Sequence, residues 1–169
     1  LIASITLAIT HHLTVEKIQM QIEKQFQDSL IKVFPEADHF VEKEEYYEAF
    51  KDNQMIGRAI QLDAVGYSSI VQLVVGVDLE NKISGVAVLN QVETPGLGAK
   101  VEEDAFLSQF IGKQLYNIKL KKDGGNIDAI TGATVTSRAV VDAINFGKDA
   151  VTGATPVQTG TILDDSLNE

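Results

Sequence analysis

The sequence predicts an α+β fold, a curved antiparallel sheet with helices packed on one side of it. Three runs rich in apolar residues, at positions 57–64, 70–78 and 83–91, follow one another and predict strands. The last two runs are separated only by residues 79–82, a short polar connection that favours an antiparallel hairpin. Helical patterns come after these strands, and strands followed by helices are typical of the α+β class.

The region before the sheet predicts a helix over residues 15–33, because apolar side chains recur there at roughly helical spacing. These positions are Ile18, Met20, Ile22, Phe26, Leu30, Ile31 and Val33. Pro35 ends the helix, since proline lacks an N–H donor and disfavours helix in the residue before it. Residues 1–10 are apolar and uncharged, but a membrane-crossing helix needs about 20 residues. They are typical of an ordinary apolar helix, the end of a signal peptide or the end of a membrane anchor.

The other elements are expected to be shorter. Residues 40–50 predict an extended or partly helical segment, and their clustered acidic side chains indicate a solvated edge. A helix is expected near residues 102–110, with acidic residues in its first turn. Strands are expected at residues 116–120 and 127–130, on either side of a Lys-Asp-Gly turn, and a final helix at residues 137–149.

Composition excludes several classes of function. The net charge of −10 and the pI near 4.7 argue against nucleic-acid binding, which needs a basic surface. The absence of cysteine excludes disulfides, thiolate metal sites and iron–sulfur ligation. The three histidines, His11, His12 and His39, form no acid–base or metal-binding pattern with other residues, so no catalytic or metal site is predicted. A redox role would therefore require a bound cofactor.

Three motif blocks occur between residues 66 and 136 of the chain. Residues 128–136 read D-A-I-T-G-A-T-V-T, residues 93–98 read E-T-P-G-L-G, and Gly66-Tyr67 precedes the apolar run at 70–77. Together these blocks resemble the FMN-binding domain shared by the G subunit of the Rnf complex and by NqrC of the sodium-pumping NADH:quinone reductase. The short length of the chain favours the Rnf protein.

In this family, a transferase esterifies the last threonine of the long motif with the phosphate of FMN. The resemblance therefore implies that Thr136 carries covalent FMN, as a surface hydroxyl. Residues 149–157 nearly repeat the motif, but Val157 stands where the acceptor threonine would be, and valine has no hydroxyl. Pro156 also fixes its own φ there. We interpret the second copy as a tail segment, although Thr155 remains a hydroxyl that could react.

The neighbours of Thr136 are expected to hold the phosphate. A helix beginning at this point would offer free N–H groups and the positive end of its dipole. Gly132 and Ala133 would allow close approach of the backbone, and Arg138 could pair with the phosphodiester. Asp128 begins the pattern that the transferase is expected to recognise. The alternative is that Thr131, Thr134 and Thr136 only cap a helix.

The isoalloxazine ring is expected to contact the second block and the aromatic residue of the third. The candidates are Glu93, Thr94, Leu97 and Gly98, with Tyr67 as a possible wall. Alternatively, residues 95–96 form an ordinary turn and Tyr67 is a core aromatic residue.

The resemblance also implies an organisation of the chain and a role. The expected segments are the end of a membrane anchor at 1–13, an amphipathic linker helix at 14–36, the FMN-binding domain at 37–152 and a flexible tail at 153–169. The expected role is electron transfer in a membrane-bound, ion-translocating ferredoxin:NAD oxidoreductase, with the domain on the extracytoplasmic side of a single-pass anchor. Its partners would be the other membrane and redox subunits and a flavin transferase. The alternatives are an FMN domain of another extracytoplasmic reductase and a binding module without stable flavin.

Overall fold

The fold comprises a five-stranded antiparallel sheet and three α-helices in the part of the chain that the structure describes. This structure is a computed structural model, and it describes residues 2–148 and 151, with the side chains of residues 17, 19–148 and 151. The helices are α1 (Ile2–Val33), α2 (Asp104–Leu107) and α3 (Thr134–Phe146). The strands are β1 (His39–Glu42), β2 (Tyr47–Lys51), β3 (Gln54–Val65), β4 (Ile70–Asp78) and β5 (Ile83–Asn90). The predicted α+β class is confirmed.

The sheet is a simple meander in which each strand pairs with the next along the chain. The three predicted strands correspond to β3, β4 and β5, and the segment at 40–50 forms most of β1 and most of β2. Asp52 and Asn53 join β2 to β3 with φ values of 50° and 60°, the backbone of a tight two-residue hairpin turn. Register shifts interrupt the β2–β3 and β4–β5 ladders, and such irregularities bend a strand locally.

Helices cover both faces of the sheet, so the expectation that they pack on one side was wrong. On one face, Val71, Leu73 and Val75 of β4 join a core cluster with Val140 and Ile144 of α3. On the opposite face, Val74 and two alanines of β3 and β5 pack with the end of α1. Successive side chains of a strand point to opposite faces, so a strand as apolar as β4 can be buried on both sides.

Among the α1 residues whose side chains the structure describes, those of the last turns are packed against the sheet. Leu30 and Val33 have no exposed surface, whereas Met20 and Ile22 are 63% and 56% exposed. Of the described positions of the predicted apolar stripe, Leu30 and Val33 at its C-terminal end are fully buried, and Ile31 between them is 55% exposed. No helix among the described residues is long and apolar enough to cross a membrane. The tail at 153–169 and all of the second motif copy except Val151 lie outside the described residues.

The predicted strands at 116–120 and 127–130 do not form. Leu120 and Ile127 make one isolated bridge, and Asn117 has a φ of 62°, which ends extended backbone. Side-chain amides take the place of neighbouring strands. Asn145 of α3 accepts from the N–H of Ile118 at 2.9 Å and donates to its carbonyl at 2.8 Å. Because these backbone groups are already bonded, they need no strand partner.

Gln109 bonds the backbone of Asp128 in the same two-sided way, accepting from the N–H at 2.7 Å and donating to the carbonyl at 3.3 Å. Gln109 belongs to the region expected to form one helix at 102–110. That region is instead a 3₁₀ turn at Gly98–Glu102, the single turn of α2 and another 3₁₀ turn at Ser108–Phe110. The final helix begins at Thr134, three residues before its predicted start, so it includes the end of the long motif.

Replacing Leu30 with alanine tests whether the end of α1 is an integral part of the fold. We expect Leu30→Ala to lower the free energy of unfolding by about 2–5 kcal/mol, because it leaves a cavity against the sheet. The exposed Met20 provides the matched control, and Met20→Ala should stay within about 0.5 kcal/mol of wild type. Chemical denaturation measures both values. Equal effects for the two variants would show that α1 does not pack against the sheet as described.

Candidate functional site

A cleft of about 490 Å³ lies where the three motif blocks meet. One wall is the turn between β3 and β4, the second is the loop after β5, and the third is the start of α3. Its lining residues are Tyr67, Glu93, Thr94, Leu97, Gly98, Gly132, Ala133, Thr134, Val135 and Thr136. Segments that are far apart in the sequence thus form one site.

The carboxylate of Glu93 is the polar centre of this cleft. Its Oε1 accepts hydrogen bonds from the N–H groups of Ser68 and Ser69, at 2.9 and 2.8 Å, and from the Ser69 hydroxyl at 3.2 Å. Its Oε2 accepts a hydrogen bond from the Thr136 hydroxyl at 2.8 Å. Glu93 is only 5% exposed, so its charge depends on these four donors for compensation.

The surroundings of Glu93 favour its charged form. Burial raises the pKa of Glu93, but hydrogen bonds from Thr136, Ser68 and Ser69 outweigh burial and lower the pKa below its ordinary value of 4.5. Glu93 is therefore a carboxylate at neutral pH, and both of its oxygens are hydrogen-bond acceptors.

Thr136 is fully buried, so the expectation that it is a surface hydroxyl was wrong. It lies in the first turn of α3, where its hydroxyl donates a hydrogen bond to Glu93 and does not cap the helix backbone. Ala133 is the N-cap residue of this helix, and alanine has no side-chain group with which to cap it. The alternative that Thr136 only caps the helix therefore does not describe this site.

Two glycines make room for the Glu93 carboxylate. A Cβ atom at Gly66 would lie 2.6 Å from Oε1 of Glu93, and a Cβ atom at Gly98 would lie 2.6 Å from Oε2. Contacts this short do not occur in real structures, so any larger residue would displace the carboxylate. Gly98 of the second motif block and Gly66 of the third are thus required for the same reason, which is to leave space for the Glu93 carboxylate.

The mouth of the cleft is apolar. Tyr67, Leu97 and Val135 line it and are 76%, 44% and 53% exposed. Gly132 lies against Leu97, because a Cβ atom at Gly132 would come within 2.9 Å of Leu97 Cδ2. Large exposed apolar side chains around a buried charge are typical of ligand sites, which combine apolar walls with a few placed polar groups.

Three predicted site residues do not line the cleft. The guanidinium of Arg138 makes a bidentate contact with Asp123, with hydrogen bonds of 2.9 Å to each oxygen. The exposed carboxylate of Asp128 pairs with Lys121 at 2.7 Å. Thr131 is exposed in the turn before α3. The other nine predicted residues, which include Thr94 and Thr134, line it.

Sequence reasoning missed Ser68, Ser69 and Val135 as site residues. Val135 was the spacer of the long motif, and its spacing gives no indication of which way the side chain points. Ser68 and Ser69 follow Gly66-Tyr67 directly and lie between two predicted strands. A turn of small polar residues at that place has N–H groups that the strands do not use, which was the available signal.

A second cleft, of about 510 Å³, lies between α1 and the sheet. Half of its lining residues carry side-chain amides, and Ile22, Phe26, Tyr47 and Leu89 provide its apolar surface. It contains none of the motif residues and no buried charge among the described residues. Of the four buried polar or charged side chains in the described chain, Glu93, Thr136 and Ser137 belong to the motif blocks or directly follow them. We therefore assign the functional site to the motif cleft.

The pH dependence of stability tests the buried carboxylate. At pH 7, Glu93→Gln should lower the free energy of unfolding by about 1–3 kcal/mol, because a neutral amide replaces an ionised acceptor. Since the pKa of Glu93 is lowered in the folded protein, its contribution is complete above the unfolded value of 4.5. It is lost as the pH falls through the folded pKa, so the difference between variant and wild type should shrink there.

Glu36 provides the control for this measurement. Its pKa is also lowered, first by a hydrogen bond from Lys51 and then by the charge of that lysine, but the pair is exposed. Solvent screens an exposed pair, so Glu36→Gln should show a smaller dependence on pH. Denaturation at about pH 7 and about pH 3.5, on either side of the ordinary carboxyl range, compares the variants. A pH-independent difference for Glu93→Gln would contradict a charged Glu93.

Comparison with known proteins relates this cleft to a family. A family model described as an FMN-binding domain matches residues 66–148, which include all three motif blocks. The G subunit of an ion-translocating oxidoreductase complex of Vibrio vulnificus is 35% identical, over 81% of this chain and 77% of that protein. The G subunit of a proton-translocating ferredoxin:NAD(+) oxidoreductase complex of Clostridium ljungdahlii is 32% identical, over 89% of this chain and 85% of that protein.

The fold comparison agrees with the sequence comparison. The crystal structure of NqrC from Shewanella oneidensis superposes with a TM-score of 0.54 and 26% identity. The match covers 68% of this chain and 66% of that one, slightly less than two thirds of the solved protein. The predicted family is confirmed: the chain belongs to the G subunits of the ion-translocating (Rnf) oxidoreductase complexes, and residues 66–148 match the FMN-binding domain.

Proposed function

We propose that this protein is the electron-transfer subunit of an Rnf-type ferredoxin:NAD oxidoreductase, with FMN joined by a phosphoester to Thr136. The observation that carries the proposal is the Thr136 hydroxyl, held by Glu93 at 2.8 Å on the wall of an apolar cleft at the start of a helix. Family membership supports the cofactor, and the position of the last motif threonine supports the point of attachment.

The residues of the cleft suit FMN. The first turn of α3 contributes backbone N–H groups and the positive end of a helix dipole to the wall that holds Thr136, and both favour a phosphate. Tyr67, Leu97 and Val135 provide apolar surface for a flavin ring. Bound FMN supplies the redox chemistry, whereas the protein orients the ring and tunes its electrostatic surroundings.

A covalent link would serve retention of the cofactor. A flavin that dissociates where free FMN is scarce is not replaced, because occupancy follows the free concentration. We propose that the domain works on the extracytoplasmic side of the membrane, anchored by a single N-terminal helix. That placement rests on the resemblance to the Rnf relatives and not on a spanning segment among the described residues. The other membrane and redox subunits would exchange electrons with the flavin, and a flavin transferase would attach it.

Replacing Thr136 tests the attachment site. Protein made in a host that contains the flavin transferase should carry an FMN phosphoester on the peptide that includes Thr136. Thr136→Ala should abolish covalent flavin fluorescence in denaturing gels, because alanine has no hydroxyl. It should also cost about 1–3 kcal/mol of stability, since Oε2 of Glu93 loses its donor.

Thr155→Ala is the matched control, because the second motif copy offers the competing hydroxyl. This variant should keep full flavin incorporation. Peptide mass spectrometry locates the adduct in each protein. An adduct confined to the peptide containing Thr155 would contradict the assignment.

Asp128 is proposed to matter for recognition by the transferase more than for folding. Its side chain is 62% exposed and its ion pair with Lys121 is solvated, so the pair contributes little to stability. We expect Asp128→Ala to reduce flavin incorporation in a co-expression assay while the melting temperature stays close to that of wild type.

Lys121→Ala removes the same ion pair but keeps the carboxylate, and it should incorporate flavin normally. Equal losses in the two variants would assign the effect to the ion pair. Full incorporation by Asp128→Ala would remove Asp128 from the functional residues.

A further inference from the structure

We propose that Glu93 accepts the proton of Thr136 during flavin attachment, so that the modified protein supplies the base for its own modification. This inference rests on the proposed attachment at Thr136. It assigns a chemical role to a side chain that was expected only to contact the flavin ring.

The hydrogen bond between the two side chains has only one possible polarity. A carboxylate can only accept, so the single proton of the Thr136 hydroxyl points at Oε2 of Glu93 across 2.8 Å. Because the O–H bond is directed at the carboxylate, the lone pairs of Thr136 Oγ1 are available for attack on a phosphorus atom. Oε1 is held by three donors from Ser68 and Ser69, which fix the carboxylate. Glu93 and Thr136 are thus arranged as a base and a nucleophile within hydrogen-bond reach.

The reaction needs an activated phosphate, because an alcohol and a phosphate monoester do not condense unaided in water. We take the donor to be a flavin dinucleotide, in which FMN is joined to a nucleoside monophosphate through a pyrophosphate. Oγ1 of Thr136 forms a bond to the phosphorus of the FMN half. The bond from that phosphorus to the bridging oxygen breaks, and its electron pair leaves with the nucleoside monophosphate. The hydroxyl proton passes to Oε2 of Glu93, and nothing is oxidised or reduced.

A carboxylate with a lowered pKa is sufficient for this task. Phosphoryl transfer has a loose transition state with little bonding to the nucleophile, so the proton can leave late. By then the new bond to phosphorus has made the hydroxyl strongly acidic. Among the described residues that line the cleft, Tyr67 is the other titratable group, and its side chain is largely exposed at the mouth.

The product also favours a proton on Glu93. An ester oxygen has no proton to donate, so a charged Oε2 at 2.8 Å would face lone pairs and a new phosphodiester anion. Such like charges raise the pKa of a carboxyl group. A protonated Glu93 removes this repulsion and becomes a donor to the ester or phosphate oxygen.

Thr136 has no exposed surface, so neighbouring side chains must move aside before the flavin dinucleotide reaches it. Leu97 and Val135 are exposed side chains of the same cleft and can turn without breaking a hydrogen bond of Glu93. The carboxylate is anchored independently of them, on the turn between β3 and β4.

The test is a kinetic assay of flavin attachment. The full chain is made in a host without the transferase and mixed with purified flavin transferase and flavin adenine dinucleotide. Glu93→Gln keeps the shape of the side chain and an acceptor for Ser68 and Ser69, but its amide donates to Thr136 and cannot take a proton. We expect kcat for attachment to fall by about 10²–10⁴-fold, the usual contribution of a general base, with an unchanged KM for the acceptor protein.

Two further variants separate chemistry from packing, and melting curves confirm that each variant is folded. Leu30→Ala destabilises the fold on the opposite face of the sheet and leaves the cleft residues unchanged, so it should retain a near-wild-type kcat wherever it is folded. Glu93→Asp disturbs packing more than glutamine does but keeps a carboxylate, so it should be faster than Glu93→Gln.

The outcomes distinguish this inference from the proposed function. Attachment to wild type and Glu93→Gln at equal rates would overturn the inference alone and assign the base to the transferase. Equal losses in Glu93→Gln and Leu30→Ala, or a slower Glu93→Asp than Glu93→Gln, would show that Glu93 acts through the stability of the fold and not as a base. Wild type that takes no flavin at Thr136 would overturn the proposed function and the inference with it.

Discussion

The buried carboxylate of Glu93 determines the geometry of the site. A buried carboxylate is stable only when hydrogen-bond donors surround it, and here the donors come from two distant parts of the chain. The turn between β3 and β4, the loop after β5 and the first turn of α3 must therefore lie together. Gly66 and Gly98 are both adjacent to the carboxylate, where no larger residue fits. One polar group thus accounts for residues in all three motif blocks.

The meander supplies the framework that brings these donors within reach. Gln72 of β4 pairs with Asn90 of β5, so the chain leaves β5 beside the turn at residues 66–69. Glu93 follows three residues later and points back into that turn. α3 packs on the face of the sheet that carries the larger core cluster, which places Thr136 against the same loop. The pairing of β4 with β5 therefore determines the position of the Glu93 carboxylate.

The sequence was sufficient to predict β3, β4 and β5, because long apolar runs joined by a short polar connection are compatible with few structures other than paired strands. It failed at residues 116–130, where Asn145 and Gln109 bond the backbone with side-chain amides. Hydrophobic periodicity cannot reveal that side-chain amides have replaced a neighbouring strand, because the segment keeps the apolar pattern of a strand in either case. The motifs indicated which segments form the site. The burial of Thr136 and its hydrogen bond to Glu93 could not be predicted, because the two residues lie 43 positions apart in the sequence.

A crystal structure of the protein purified from a host with the flavin transferase would show directly whether FMN is bound to Thr136. We expect continuous density from Oγ1 of Thr136 to the phosphorus of FMN, with the ring against Tyr67, Leu97 or Val135. We also expect Oε2 of Glu93 to remain close to the ester or phosphate oxygen as a hydrogen-bond partner. Flavin bound elsewhere, with the hydrogen bond from Thr136 to Glu93 intact, would contradict attachment at Thr136.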